Sequence, residues 1–181
     1  VALKDLSSLQ QFARGKDLGA GYPVQEHITL YSPDDDIPGA LAYLLKSVSS
    51  SLVIAMFGFD DYSLAEIIKQ KMADPKIYVQ MSLDNTQAAG KHEAELLKLM
   101  DYPSNSVSIG RSEAHAIQHL KTFVVDGLDV AGGSTNWSES GETKQDNELT
   151  VTRHPVVAHR ARTKLDLVHS AQLAQMAKKR A

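Results

Sequence analysis

Four residues in the stretch QHLKTFVVDGLDVAGGSTNW, residues 118–137, could do chemistry together: His119 and Lys121, then Ser134 and Asn136. Each pair is spaced by two, and alternate side chains of a β-strand share a face. His119 and Lys121 therefore point one way and Leu120, Thr122 and Val124 the other. Phe123 and Val125 continue on the polar pair's side, deeper in the core. The Asp126-Gly127 dipeptide suits a tight turn, so the segment reads as two strands, with Ser134 and Asn136 on the second. Desolvating such groups costs free energy unless they find partners. Singly, His119 has an ordinary reading as a satisfied structural histidine, and Ser134 or Asn136 as a turn or backbone-capping residue. The coincidence of both pairs favours function. An ammonium and an amide suit an anionic group with several oxygens, and an imidazole suits nucleophilic attack or proton transfer near neutral pH. Phosphoryl chemistry fits that combination.

The elements that must position these residues follow from periodicity. His27–Tyr31 has strand composition, and Pro38 opens a helical pattern through Ile37, Ala40, Leu41, Leu44 and Leu45. Ser51–Phe59 is a nearly continuous apolar run, as in a strand covered on both faces. Asp60–Ser63 can cap a helix carrying Leu64, Ile67, Ile68 and Met72. Lys76–Leu83 is the next strand, residues 88–100 form an amphipathic helix, and Val107–Ile109 begins a short strand. Glu148–Thr152 adds another, and a terminal helix begins near Pro155. Strand and helix alternate to residue 100 and strands dominate afterwards, which predicts an α/β fold: a mixed β-sheet flanked by helices. The first 24 residues, with Gly15, Gly19, Gly21 and Pro23, read as a short helix and an irregular lead-in at the periphery.

The 181 residues suit one α/β domain with short terminal additions. No uninterrupted apolar run of about 18 residues is present and no signal peptide is visible. A chain beginning at Val is compatible with a trimmed, mature product. With no cysteine, thiol nucleophiles, disulfides and thiolate zinc sites are excluded, and the sequence fits an oxidising compartment as well as the cytoplasm. The net charge of -3 conceals a division. Residues 1–151 hold 12 Lys and Arg against 21 Asp and Glu, whereas residues 152–181 hold 7 against 1, a net of +6. The basic end is either a solvated helix face or a docking surface for a phosphate-rich substrate or a membrane.

The spacing H119-L-K121, four residues, Asp126, six residues, G133-S134-T-N136 resembles the signature of the phospholipase D superfamily at every position. The surrounding chain is similar to its small bacterial nuclease branch: YSP at residues 31–33, SLVIAMFGFDD at 51–61 and GSTNWSESGET at 133–143. The resemblance covers residues 26–168, which defines a phospholipase D-like catalytic domain between a peripheral segment, 1–25, and a basic C-terminal extension, 169–181. It implies a phosphodiesterase in which one motif histidine attacks phosphorus and a second protonates the leaving oxygen. The chain carries a single motif, so the resemblance implies a homodimer in which two copies of His119 meet across a twofold axis.

The resemblance further implies that Lys121 and Asn136 hold phosphate oxygens with help from Ser134, and that Asp126 and Gly133 give structural support. Glu148 matches the family's later acidic residue, which orients a catalytic histidine. Relatives in the nuclease branch carry that Glu one position earlier, at Asn147 here, and Glu142 is the fallback. No cofactor or metal is implied, and the spacing of His115 to His119 reads as a loop entering a strand. His154, His159 and His169 have surface, cap or binding roles, and Trp137 packs in the core. The expected substrate is DNA, cut by a nonspecific endonuclease. Alternatives are a phospholipase D or phosphatidyl transferase acting on phospholipid, and a noncatalytic nucleic-acid-binding protein. Family resemblance points to a periplasmic or secreted mature form, with the cytoplasm also open.

Overall fold

The computed structural model describes residues 2–14 and 24–180. Gly15, Gly19, Gly21 and Pro23, and with them the irregular lead-in, lie outside the described residues. The apolar runs form a seven-stranded sheet: β1 (His27–Ser32), β2 (Ser51–Met56), β3 (Tyr78–Asp84), β4 (Val107–Gly110), β5 (Lys121–Val125), β6 (Asp129–Gly133) and β7 (Asn147–Arg153). The spatial order is β1-β7-β6-β5-β2-β3-β4. β2 pairs parallel with β3 and β3 with β4, while every pairing from β2 through β5, β6 and β7 to β1 is antiparallel. The sheet is mixed, as the sequence predicts.

One face is covered by α1 (Ile37–Ser47), α2 (Tyr62–Ala73) and α4 (Lys91–Met100), the other by α6 (Pro155–Arg180); short helices α3 (Asn85–Ala88) and α5 (Glu139–Thr143) complete the set. β2 shows why its run is apolar throughout. Leu52, Ile54 and Met56 enter the large core with Phe123, Val125 and Val151, while Val53 and Ala55 meet Val124, Ala158 and Leu165 of the α6 layer. Asp36 and Asp61 cap α1 and α2 by accepting from Gly39 N and Leu64 N. The helix expected over residues 88–100 is α4, which starts at Lys91 because Gly90 is its N-cap, while Ala88 ends the separate short α3. No helix among the described residues is long and apolar enough to cross a membrane.

Both terminal segments differ from expectation. Residues Leu6–Phe12 form a 3-10 helix whose Leu6 and Leu9 are fully buried in the main core, so this segment is part of the domain. At the other end, α6 runs without interruption across residues 168 and 169. His169 and Gln172 are buried against β3 and β4: the Ser108 hydroxyl lies 2.9 Å from His169 Nδ1 and donates to Gln172 Oε1 at 2.8 Å, and Gln172 Nε2 donates to the Leu83 carbonyl at 3.1 Å. Residues from 169 onward thus belong to a packed helix and not to an extension. Part of the basic end is also internal, since Arg153 forms two bonds with the buried Asp129 carboxylate, at 2.6 and 2.7 Å.

Candidate active site

His119 does not lie in β5, which begins at Lys121. It is held at the mouth of the strand by its neighbour. Gln118 is buried; its N–H donates to Asp84 Oδ2 at 2.7 Å, its Nε2 donates to the carbonyls of Met56 and Ser82, and its Oε1 accepts from Leu120 N. The chain is therefore fastened across the C-terminal ends of β2 and β3 immediately before the imidazole. The ring then meets Phe57 edge-on, with centroids 4.5 Å apart.

Lys121 pairs with Met56 of β2 and is buried. Its Nζ lies 3.0 Å from His119 Nε2, 3.2 Å from the His119 carbonyl and 4.8 Å from the centre of the Phe57 ring. An ammonium only donates, so at this distance Nε2 is the acceptor and the ring proton sits on Nδ1. That tautomer leaves the Nε2 lone pair as the reactive one. Burial lowers the Lys121 pKa below its ordinary value, and the aromatic face of Phe57 supplies part of the compensation.

The second half of the signature also leaves its strand, since β6 ends at Gly133. Two-residue alternation therefore does not place Ser134 and Asn136; backbone contacts do. Gly133 has φ 154°, and a Cβ there would run into the Glu148 carbonyl. Ser134 N donates to that carbonyl at 3.2 Å, Thr135 Oγ1 donates to it at 2.8 Å, and Glu148 N donates to Ser134 Oγ at 3.0 Å. Replacing Gly133 with Ala is expected to lose about 2 kcal/mol of folding stability, measured by urea denaturation, because backbone must move to admit the methyl group.

Past this junction Trp137 N donates to the Gly58 carbonyl at 3.0 Å, and Asp60 N and Asp61 N donate to the Trp137 carbonyl. The indole is buried against Phe59 and Phe123, in the packing role expected of it. Asn136 is consequently pressed on Gly58, where a Cβ would come within 3.2 Å of its Cγ. Residues 57–58 thus join the two halves of the signature. Phe57 touches His119 and Lys121, and Gly58 touches Asn136. Sequence reasoning did not single out Phe57, Gln118 or Asp84. The position of the apolar SLVIAMFGF run directly before Asp60 was the available signal for Phe57.

The supporting residues fall in different places. Asp126 sits with Gly127 and Leu128 in the three-residue β5–β6 turn, the first two at positive φ and Leu128 N donating to the Val125 carbonyl. Its carboxylate accepts from the N–H groups of Ser49, Ser50 and Ser51 and from the hydroxyls of Ser49 and Ser50, at 2.8 to 3.1 Å. Asp126 lies at the far end of β5 from Lys121, roughly 15 Å along the strand.

Within one subunit Glu148 lies apart from Lys121. On β7, Leu149 and Val151 point into the core that holds Phe123 and Val125, so alternation turns the exposed Glu148 side chain to the opposite face from Lys121. Its backbone holds Ser134 and Thr135, and Glu148 lines an open concavity of about 520 Å³ with Ser134 and Asn147. Asn147, on the Leu149 side, donates to the Gly141 carbonyl and Gln145 Oε1. The fallback Glu142 is buried, and burial, followed by the nearby Asp61 and Asp60, pushes its carboxyl up to about 8. His115 is exposed in a turn at φ 60°. Among the described residues no group of three or more His, Asp or Glu is arranged to hold a metal ion.

Beside His119 a cleft of about 130 Å³ is lined by Ile117, Gln118, Leu120, Lys164, Leu167 and others. Ile117 and Leu167 are 49% and 59% exposed, so the approach to the imidazole combines Lys164 and Glu113, of opposite charge, with an apolar rim.

No curated protein matches the sequence. The fold is that of Nuc from Salmonella typhimurium, described as a phospholipase D family member (TM-score 0.69, 18% identity, covering 81% of this chain and 94% of that one). It is similarly that of NucT from Helicobacter pylori (TM-score 0.71, 21% identity, 81% and 96%). The archaeal chromatin protein TrmBL2, whose structure is described as showing a novel mode of DNA binding, shares it over 81% of this chain and 53% of its own (TM-score 0.56, 12% identity). The family model described as cardiolipin synthase, PLD-like domain, matches residues 41–168. With that match covering most of the chain and the His119–Lys121 pair at the end of its sheet, the protein belongs to the phospholipase D-like family.

Proposed function

We propose that the protein is a metal-independent phosphodiesterase that cleaves DNA as a homodimer. The observation that carries this reading is the Lys121 ammonium 3.0 Å from His119 Nε2, a contact in which Nε2 is the accepting nitrogen and so the one with the lone pair. When a phosphodiester enters, Lys121 turns from the imidazole to a nonbridging oxygen, and Asn136 Nδ2 and the Ser134 hydroxyl proton donate to the others. Ser134 Oγ already accepts from Glu148 N, which leaves its own hydrogen for the substrate. Nε2 attacks phosphorus, the P–O bond to the leaving group breaks, and the leaving oxygen takes a proton from the partner's His119. That second imidazole then removes a proton from water as the water displaces the phosphorus from Nε2.

Dimerisation is the economical source of the second histidine, because an isologous contact presents the same surface twice. Exposed Ile117 and Leu167 beside His119 supply apolar area for such a contact. DNA is favoured by Lys164 in the cleft and by exposed Arg160, Lys178 and Lys179 on the same helix, and by the DNA binding described for TrmBL2.

The same apolar rim favours a second reading, in which a phospholipid enters with its acyl chains against Ile117 and Leu167; the fold is also shared by a phosphatidylserine synthase from Haemophilus influenzae. Turnover of plasmid DNA and of anionic liposomes, both in excess EDTA, separates them. DNA cleavage that persists in EDTA and falls steeply with salt is expected. Hydrolysis of lipid alone would overturn the choice of substrate, and loss of DNA cleavage in EDTA would overturn the metal-independent mechanism.

A further inference from the structure

Asn136 and Glu93 each bury an oxygen that has no hydrogen-bond partner, Asn136 Oδ1 and Glu93 Oε1, and both residues line one cavity of about 200 Å³. Glu93 stands in the first turn of α4 and is 5% exposed. Its other oxygen is in use: Oε2 accepts from Phe59 N at 2.9 Å, fastening the loop whose Gly58 touches Asn136. An amide oxygen only accepts, so two buried acceptors on one cavity need a donor between them. A carboxyl group that keeps its proton is such a donor. The Asn136 nitrogen, by contrast, is not among the buried unpartnered atoms and has no partner among the described residues, so it is the free donor of that amide.

We propose, on the phosphodiesterase reading above, that Glu93 is a positioning residue for Asn136: its Oε1–H supplies the hydrogen bond that Asn136 Oδ1 lacks, through one water in the shared cavity. The cavity has room for a water, which occupies about 30 Å³ in the liquid. The bond fixes which way the amide is turned and so aims Nδ2 at the phosphate. An amide whose two ends were equally free would present oxygen to an anion in half of its orientations. Protonation is what the surroundings favour. Burial pushes the Glu93 carboxyl up to about 8 against the Phe59 N–H, and Asp60 and Asp84 add to the rise. Besides those carboxylates, Lys91 and His92 of its own helix, Gln87 of α3 and Ser138 face the cavity. Above pH 8 the proton leaves, the donor is lost, and a carboxylate faces the Asn136 oxygen.

The test has two independent readings. The Asn136 side-chain amide resonances, assigned by their absence in Asn136→Ala, are followed by ¹⁵N–¹H NMR from pH 6.5 to 9.5. An inflection near pH 8 in the wild type that vanishes in Glu93→Gln is expected; no inflection, or the same one in Glu93→Gln, overturns the proposal. In parallel, hydrolysis of bis(p-nitrophenyl) phosphate is measured. Glu93→Gln keeps a donor and an acceptor, so turnover within about threefold of wild type is expected at pH 7, with a weaker decline above pH 8. Glu93→Leu is expected to lower kcat about tenfold with little change in KM, since the donor remains but is no longer aimed. Adding Asn136→Ala to Glu93→Leu should then cost less than Asn136→Ala alone; full additivity would overturn the coupling. A wild-type protein that hydrolyses no diester would defeat the phosphodiesterase reading instead, and the NMR titration would still decide the role of Glu93.

Discussion

His119→Asn is expected to lower turnover of plasmid DNA and of bis(p-nitrophenyl) phosphate by at least about 10³-fold, while DNA binding stays within a few-fold of wild type. The size of the effect follows from a double loss. Asparagine has nearly the reach of imidazole and can still meet Lys121, whose Nζ lies 3.0 Å from Nε2. It offers no nucleophilic lone pair, and in a dimer it also removes the proton donor from the other side. On the proposed mechanism phosphate affinity rests on Lys121, Asn136 and the exposed cations of α6, which the substitution leaves in place. Turnover within tenfold of wild type would defeat the phosphohistidine mechanism. Subunit mixing adds a sharper reading. If both copies of His119 serve one centre, activity falls with the square of the wild-type fraction, to about a quarter at equal mixing after exchange. A linear fall to about half would show that each subunit acts alone.

Residues two apart in QHLKTFVVDGLDVAGGSTNW signalled a polar cluster; the structure pairs His119 with Lys121 and sets Asn136 against Gly58, next to the Phe57 that His119 and Lys121 both touch, and strand alternation accounts for only part of that placement. Alternation does hold where the strand is real: Lys121, Phe123 and Val125 share a face, and Val124 packs under α6. His119, Ser134 and Asn136 sit just past the strand ends, where tertiary contacts decide direction. Gln118 reaching to Met56 and Ser82, and Glu148 receiving Ser134 and Thr135, are contacts between residues far apart in sequence. No local pattern announces them. The apolar runs did announce the elements, because a strand covered on both faces, such as β2, has no polar positions to spare. Terminal roles were harder to read. Two leucines in a short N-terminal pattern look peripheral until β1 and α1 are seen to close over them, and a run of cations in α6 hides the face that buries His169 and Gln172.

Glu148 illustrates a different difficulty. Matching an acidic residue to a family position with a tolerance of one reverses the side chain in a strand. On β7 the shift from 147 to 148 moves a carboxylate from the core face to the opposite, exposed face. The side chain at the family position is then an amide, Asn147, engaged with Gly141 and Gln145. Buried carboxyls near the site do exist, but they come from elsewhere: Glu93 on α4 and Glu142 on α5, both in the vicinity of Asp60. Neither is marked by the spacing of the signature.

Asp126→Ala is expected to cost about 3 kcal/mol of unfolding free energy in urea, among the largest single losses available outside the core. Its carboxylate collects three backbone N–H groups and two hydroxyls from Ser49, Ser50 and Ser51, which connect α1 to β2. Removing it strands those donors and loosens the entry to the strand that carries the loop 57–58. Asp126→Asn, which keeps one accepting oxygen, should lose about half as much. Acid distinguishes this account from simple packing. Burial alone would raise the Asp126 pKa, but the bonds from Ser51, Ser50 and Ser49 outweigh it and hold the carboxyl below its ordinary value of 3.8. A depressed pKa means stability that is fully present above the unfolded value and lost as pH falls through the folded one. The stability gap between wild type and Asp126→Asn should therefore hold from pH 7 down to about 4 and narrow below it; a gap independent of pH down to 2 would sink the charge-based account. At a temperature where the variant is fully folded, its kcat should stay within a few-fold of wild type. The carboxylate lies roughly 15 Å of strand away from Lys121. A large fall in kcat without unfolding would instead place Asp126 in the chemistry, and would mean that the turn end of the β5–β6 hairpin governs the geometry at its other end.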